Sequence, residues 1–304
     1  MKKDFLSVAD LTREEFLELM DISSRMKKYP FGTQLKGKTI ALLFEKPSTR
    51  TRMSFEAGIA QLSGYPMYID SSSTQISRGE LIEDVAKVME KYVDAICARV
   101  SDHRTLELLS KYASVPVISM LSDLEHPCQA LADIFTIKER FGKFEGIKLA
   151  YIGDGNNVCS SLLLACGITG INISVSTPKG YEPNKRILSK ARDFSQKNKS
   201  KVSFTNRPTE AAKNADVIYT DVWVSMGEEK ENDERMKAFM DFQINKKLAR
   251  HAKKDFVFMH CLPAHRGLEV TSEIMDGEHS IVWEQAGNRL HVQKALLLRL
   301  FNMA

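Results

Sequence analysis

No run of about 18 apolar residues occurs in the 304-residue chain, so no helical membrane span is expected. Cysteine is scarce. Cys97, Cys128, Cys159, Cys166 and Cys261 are odd in number and scattered. No pair has finger-type spacing, so neither a disulfide framework nor a metal site is expected, and a reduced, cytoplasmic setting is. A dominant charge is also missing. Lys and Arg total 43 against 39 Asp and Glu, and the net +4 is spread along the chain. Such a balance gives no reason to expect a nucleic-acid partner. The start, Met1-Lys2-Lys3-Asp4, lacks the apolar core of a signal peptide. Internal repeats and low-complexity tracts are absent as well.

What remains is the composition of a globular protein, 43% hydrophobic and 27% charged, long enough for two domains. Leu11–Lys28 reads as an amphipathic helix, with Thr12 as cap and Glu15 completing a capping box. Strand and helix patterns then alternate. Strands are expected at Lys38–Phe44, Met67–Asp70, Asp94–Arg99 and Val115–Met120, and Cys128–Phe141 reads as a long helix closed by Gly142. The alternation resumes at Lys148–Gly153, Ile171–Ser176, Val202–Thr205, Val217–Val222 and Phe256–His260, with a last strand at Ile281–Glu284 and a final helix over Arg289–Phe301. The pattern predicts an α/β chain of two domains, 1–141 and 142–287, each an open parallel sheet flanked by helices. Ligands of such sheets bind outside the carboxyl ends of the strands, and a cleft between the domains is the expected active site.

Polar clusters follow several of these strands. Ser48-Thr49-Arg50-Thr51-Arg52 opens a helix directly after the first strand. Ser48 and Thr49 alone are ordinary caps, but Arg50 and Arg52 in the same turn oppose the helix dipole and call for an anion. Arg99 ends the third strand. His126, at a helix entrance, is expected to be neutral, and Gln129 offers both amide donor and acceptor. Gly153-Asp154-Gly155-Asn156-Asn157-Val158 is a poor dinucleotide loop, since Val158 fills the third glycine's place. Its asparagines suggest a polar pocket floor. Asp221 ends a strand and is placed to hold an ammonium group. His260, Cys261 and His265 invite a zinc reading, but their spacing is wrong for one.

Taken together, the clusters resemble a known family. Phe44-Glu45-Lys46-Pro47-Ser48-Thr49-Arg50-Thr51-Arg52 resembles the carbamoyl-phosphate signature of the aspartate and ornithine carbamoyltransferases, and His126-Pro127-Cys128-Gln129 resembles their second signature. Asp221 through Ser225-Met226-Gly227, with His260-Cys261-Leu262-Pro263, is similar to the ornithine branch. The resemblance implies transfer of the carbamoyl group of carbamoyl phosphate to the δ-amine of L-ornithine, without a cofactor. It implies that Ser48, Thr49, Arg50 and Thr51 hold the phosphate, with Arg52 offsetting its charge and Arg289 adding a contact. Arg99 and His126 would bind the carbonyl oxygen and Gln129 the amide. Asn157, Asp221, Ser225 and Met226 would hold ornithine, and Cys261 and Leu262 would lie beside the reacting groups. A loop from Ser225 to Glu234 would close over ornithine. Gln75 would reach into a neighbouring subunit of a homotrimer, and the last helix (288–304) would pack on the first domain. The alternatives are a putrescine carbamoyltransferase, in which Asp221 and Ser225 would have no α-amino acid to hold, and a non-catalytic carbamoyl-phosphate-binding protein.

Overall fold

Thr12 starts the first long helix, α1 (Arg13–Lys28), by the expected reciprocal cap. Its hydroxyl accepts from the Glu15 N–H, and the Glu15 carboxylate accepts from the Thr12 N–H. The computed structural model describes residues 4–224 and 232–303. They divide into two compact units, Met1–Phe135 with Gly287–Ala304 and Thr136–Ala286.

The first unit alternates β1 (Thr39–Phe44), α2 (Thr49–Gln61), β2 (Tyr65–Asp70), α3 (Ile82–Met89), β3 (Ala95–Arg99), α4 (His103–Tyr112) and β4 (Val117–Leu121) before α5 (Pro127–Phe141). Its four strands are all parallel, in the order β2-β1-β3-β4. Apolar runs such as Ile40 to Phe44 and Ala95 to Ala98 suit a sheet covered on both faces. The register sets Phe44 opposite both Asp70 and Arg99, so the strand ends align. Arg99 falls where the β3–β4 pairing slips by one residue.

The second unit holds β5 (Lys148–Ile152), α6 (Asn157–Thr169), β6 (Asn172–Ser176), α7 (Lys185–Lys197), β7 (Val202–Thr205), α8 (Pro208–Ala212) and β8 (Val217–Thr220). After these come α9 (Asn232–Phe239), α10 (Lys246–Ala249), β9 (Val257–His260) and α11 (Ser272–Met275). The five parallel strands run β7-β6-β5-β8-β9. Both sheets are therefore parallel and helix-flanked, as the alternation predicts.

One expected strand is absent. Ile281–Glu284 reads as a strand from its three apolar residues, but helix α12 (Val282–Leu300) already begins there. Val282 and Gln285 are buried while Trp283 and Glu284 are exposed, which is helical spacing. A short apolar run does not distinguish the two periods. Later in α12, Lys294 is fully buried. Its ammonium donates to the Met26 carbonyl (3.3 Å), the Pro30 carbonyl (2.9 Å) and Gln61 Oε1 (2.7 Å), tying α12 to the end of α1 and to α2. Burial pulls its pKa down to about 8. Replacing Lys294 by methionine leaves all three acceptors unmet and is expected to cost roughly 3 kcal/mol, read by denaturant unfolding. Among the described residues no helix is long and apolar enough to cross a membrane.

Candidate active site

In the first unit the site is built where β1 and β3 end. The backbone beyond Phe44 is pinned to β3. The Glu45 N–H donates to the Arg99 carbonyl (2.9 Å), and Glu45 Oε2 accepts from the Ser101 N–H (2.7 Å). This brings Ser48, the cap of α2, beside the end of β3. The Ser48 hydroxyl donates to Thr51 Oγ1 (3.0 Å), and Arg289 Nη2 donates to the same oxygen (2.8 Å). Thr51, Arg99 and Arg289 are all buried, while Thr49 is exposed at the helix start. The start of α2 thus lies next to buried guanidinium groups, a combination suited to an anion.

His126 lies at the entrance to α5 and is buried. Burial, then the charges of Arg289, Arg99 and Arg50, holds its imidazole well below the ordinary value. Sequence reasoning attributes its neutrality to the helix dipole, and the structure adds the loss of water and three neighbouring cations. Two consequences follow for pH. An unfolded chain takes up a proton on this imidazole below about pH 6.5, and the folded chain does not. His126 therefore contributes stability that is complete above that pH and is lost progressively as pH falls from it towards the much lower folded value. In activity, no inflection near pH 6.5 is expected from His126. Its ring signals should remain those of a neutral imidazole from pH 8 down past 6, and NMR of histidine-labelled protein checks this.

Gln129, one turn into α5, is oriented by Asp133. Its Nε2 donates to Asp133 Oδ1 at 2.8 Å, and both residues are buried. Gln129 Oε1 is buried and has no hydrogen-bond partner among the described residues. It is an acceptor awaiting an N–H donor. Cys128 between them belongs to the core: its thiol donates to the Ser119 carbonyl (3.3 Å), and burial pushes it up to about 12.

Arg52 departs from expectation. Its guanidinium stacks on the Tyr68 ring, 3.7 Å from the centroid, and its Nε donates to Glu56 (2.9 Å) on the exposed side of α2. Residues two apart on a helix point in different directions, so Arg50 and Arg52 do not share a ligand. Gln75 opens a 3-10 turn (Gln75–Arg78) and is exposed.

In the second unit Asp221 is the centre. It is buried just past β8 and accepts three hydrogen bonds: from the Cys261 thiol (2.9 Å) and the Val222 N–H (2.8 Å) at Oδ1, and from Asn156 Nδ2 (2.7 Å) at Oδ2. Asn156 also caps α6, accepting from the N–H groups of Val158 and Cys159, and its oxygen accepts from the Tyr151 hydroxyl (3.2 Å). The turn before it demands glycine. A Cβ on Gly155 would meet the Tyr181 carbonyl at 2.6 Å and Pro183 N at 2.4 Å. Asn157 is the first residue of α6 and half-buried. The sequence points to both asparagines as a polar pocket floor but does not separate them: Asn156 is the cap of α6 and the partner of Asp221.

Cys261 follows β9, and Leu262 takes a left-handed backbone with φ of 61°. Asp221, His260 and Cys261 bring ligand-type atoms within 4.8 Å of one another. The imidazole is already engaged, however. His260 Nδ1 accepts from the Leu262 N–H (2.8 Å), so its proton lies on Nε2, 3.3 Å from the buried Glu269 carboxylate. The cluster's chemistry is a hydrogen-bond network. Ser225 and Met226 lie outside the described residues, as does most of the loop from Ser225 to Glu234.

Comparison with known proteins follows the same division. Residues 3–139 match the family model described as aspartate/ornithine carbamoyltransferase, carbamoyl-P binding domain, and residues 145–300 match its Asp/Orn binding domain. The ornithine carbamoyltransferase of Thermococcus kodakarensis is 51% identical over 299 residues, covering 97% of this chain and 95% of that protein. That of Carboxydothermus hydrogenoformans is also 51% identical, covering 97% and 96%. The solved structure of ornithine carbamoyltransferase from Pyrococcus furiosus superposes with a TM-score of 0.95 at 49% identity, covering 98% of this chain and 96% of that one.

Proposed function

The chain belongs to the aspartate/ornithine carbamoyltransferase family, and on that premise we propose that it transfers the carbamoyl group of carbamoyl phosphate to the δ-amine of L-ornithine. The products are L-citrulline and phosphate. One observation supports the reading of the first unit: Arg289 Nη2 donates to Thr51 Oγ1 (2.8 Å) at the start of α2, and Arg50, Arg99 and Arg289 lie within electrostatic reach of the buried His126. Cations gathered in this way suit a small dianion with a carbonyl beside it.

Each group then has a task. Ser48, Thr49, Arg50, Thr51 and Arg289 hold the phosphate. Arg99 and His126 donate to the carbonyl oxygen, and Gln129 Oε1 accepts from the carbamoyl N–H. Asp221 holds the ammonium group of ornithine, with Asn157, Ser225 and Met226 around the amino-acid end and Cys261 and Leu262 beside the reacting atoms. The neutral δ-amine attacks the carbonyl carbon, and a C–N bond forms as the π electrons move to oxygen. Collapse of that tetrahedral intermediate breaks the C–O bond to phosphate. The amine loses its proton, and the departing phosphate is a base able to take it. Orientation and oxyanion stabilisation supply the rate, since carbamoyl phosphate is already activated. The free amine titrates near a lysine-like 10.4, so activity rises with pH across the neutral range.

The active species is a homotrimer in which Gln75 reaches a neighbouring subunit's site. Gln75 is exposed five residues past β2, an edge strand, and Met53, Tyr65 and Leu81, on and around that edge, are each 63% exposed, a surface suited to another subunit.

Release of phosphate is measured with carbamoyl phosphate and a panel of ornithine, aspartate and putrescine, together with assay of citrulline. Citrulline from ornithine is the expected result. Carbamoylation of aspartate or putrescine in its place would overturn the choice of acceptor.

A further inference from the structure

Residues 4–10 form a strap along β4 that reaches Glu125, the residue before His126. Phe5 pairs with Ile118: its N–H donates to the Val117 carbonyl (2.9 Å), and its carbonyl accepts from the Ser119 N–H (2.8 Å). Asp4 secures the beginning, accepting from the Val117 N–H (2.8 Å) and the Ser110 hydroxyl (2.7 Å). Phe5 and Val8 are buried. A short 3-10 turn (Val8–Asp10) follows, closed by a reciprocal cap between Ser7 and Asp10. Here the strap meets Glu125. The Ser7 hydroxyl donates to Glu125 Oε1 (2.5 Å), and the Val8 N–H donates to Oε2 (3.1 Å).

Glu125 is 1% exposed. A carboxylate so buried is costly unless both oxygens are satisfied, and the strap supplies a donor to each. The main chain of Glu125 is closed on the loop before it. Its carbonyl accepts from the Ser122 N–H (2.9 Å), and its N–H donates to the Ser122 hydroxyl (3.3 Å), which lies 2.8 Å from His103 Nδ1. His126 is the next residue, and Pro127 begins α5 immediately after it. His126 is thus fixed from one side by the proline and helix, and from the other by Glu125.

We propose that Glu125, clamped by Ser7 and Val8, is a positioning residue that sets His126 against the carbonyl oxygen of carbamoyl phosphate, so that the amino-terminal strap supports catalysis. The proposal rests on the carbamoyl-transfer reading. A hydrogen-bond donor to a developing oxyanion must be placed within a fraction of an ångström, and a displaced loop loses rate before it loses the second substrate.

The test is a double-mutant cycle on the full chain with Ser7→Ala, Glu125→Ala and both together, with Ser7→Thr as the conservative variant. Ser7→Ala should lower kcat about 3- to 10-fold and Glu125→Ala more than about 10-fold, with the KM for ornithine within about twofold of wild type. The double variant should be within about twofold of Glu125→Ala, because Ser7 affects the rate through that carboxylate while its other contact, accepting from the Ala9 N–H (3.1 Å), lies within the strap, and Ser7→Thr should restore most of the rate. A kcat within twofold of wild type in both single variants overturns the proposal. So do losses that multiply in the double variant. Should Glu125→Ala fail to fold, the Ser7→Ala and Ser7→Thr pair decides alone. Calorimetric titration with carbamoyl phosphate separates the two readings. A wild-type protein that binds it without making citrulline sinks the transfer reading only, and the strap is then judged by whether Ser7→Ala weakens that binding. A wild-type protein that does not bind it overturns both.

Discussion

Arg50→Gly abolishes measurable turnover, lowering kcat/KM for carbamoyl phosphate by on the order of 10³-fold, while the protein remains folded. The guanidinium is asked for two things, to hold the phosphate on binding and to offset the charge that gathers on it as the C–O bond breaks. The matched control is Arg52→Gly. Both arginines lie in the first turn of α2, so each glycine costs about the same 1 kcal/mol in helix propensity. Arg52→Gly also forfeits the Glu56 ion pair and the stacking on Tyr68, so it should be the less stable variant. Activity should nonetheless stay within about threefold of wild type, because its side chain is turned away from the anion site. Equal losses in the two variants would show that helix integrity, not the Arg50 guanidinium, sets the rate.

Asp221→Asn raises the KM for ornithine by on the order of 10²-fold or more, with the affinity for carbamoyl phosphate within about threefold of wild type. The replacement is isosteric, which makes the charge the variable. It has a second effect. Oδ2 accepts from Asn156 Nδ2 at 2.7 Å and Oδ1 accepts both the Cys261 thiol and the Val222 N–H, so every contact uses the aspartate as an acceptor. An asparagine must set an NH₂ group against one of those donors. A buried donor facing a donor costs about 1–3 kcal/mol. Lost attraction for the ammonium and local repulsion therefore add, and the variant should unfold earlier as well. Asn156→Asp provides a contrast: it sets one carboxylate against another and should also destabilise the fold. Initial rates across an ornithine series, together with calorimetric titration of carbamoyl phosphate, separate the effects. A normal ornithine KM in Asp221→Asn would remove Asp221 from the amino-acid site.

Much of this was legible in the sequence because the determinants are local. Thr12 and Glu15 specify their cap in a span of four residues, and the alternation of apolar runs with helical periods reports two parallel sheets without any long-range information. Ser48, His126 and Asp221 stand out as candidates because they lie shortly after strand ends, and Arg99 because it is the last residue of one. What could not be read depends on direction and distance. Arg50 and Arg52 are equivalent as letters, and only the helix rotation and the presence of Tyr68 separate them. Asn156 and Asn157 differ by one residue in register, which decides which one caps α6 and reaches Asp221. Ile281–Glu284 carries an apolar run that suits either period until its burial is known. The strap escaped notice for another reason: Ser7 and Glu125 are 118 residues apart, and neither belongs to a motif.

The first unit is discontinuous in sequence, Met1–Phe135 completed by Gly287–Ala304. A ribosome delivers those pieces in order. Four strands and most of their helices emerge early, but Arg289, Lys294 and Arg299, which bind Thr51, the end of α1 and the pair Glu15 and Glu18, are made only after the second unit. Until then the nascent unit keeps an uncovered apolar flank and an anion site short of one arginine. The second unit, Thr136–Ala286, is continuous and can fold while the first waits. On this reading the first unit is completed only after the second has been made, and a chain cut short before α12 is expected to be inactive however well its second unit has folded.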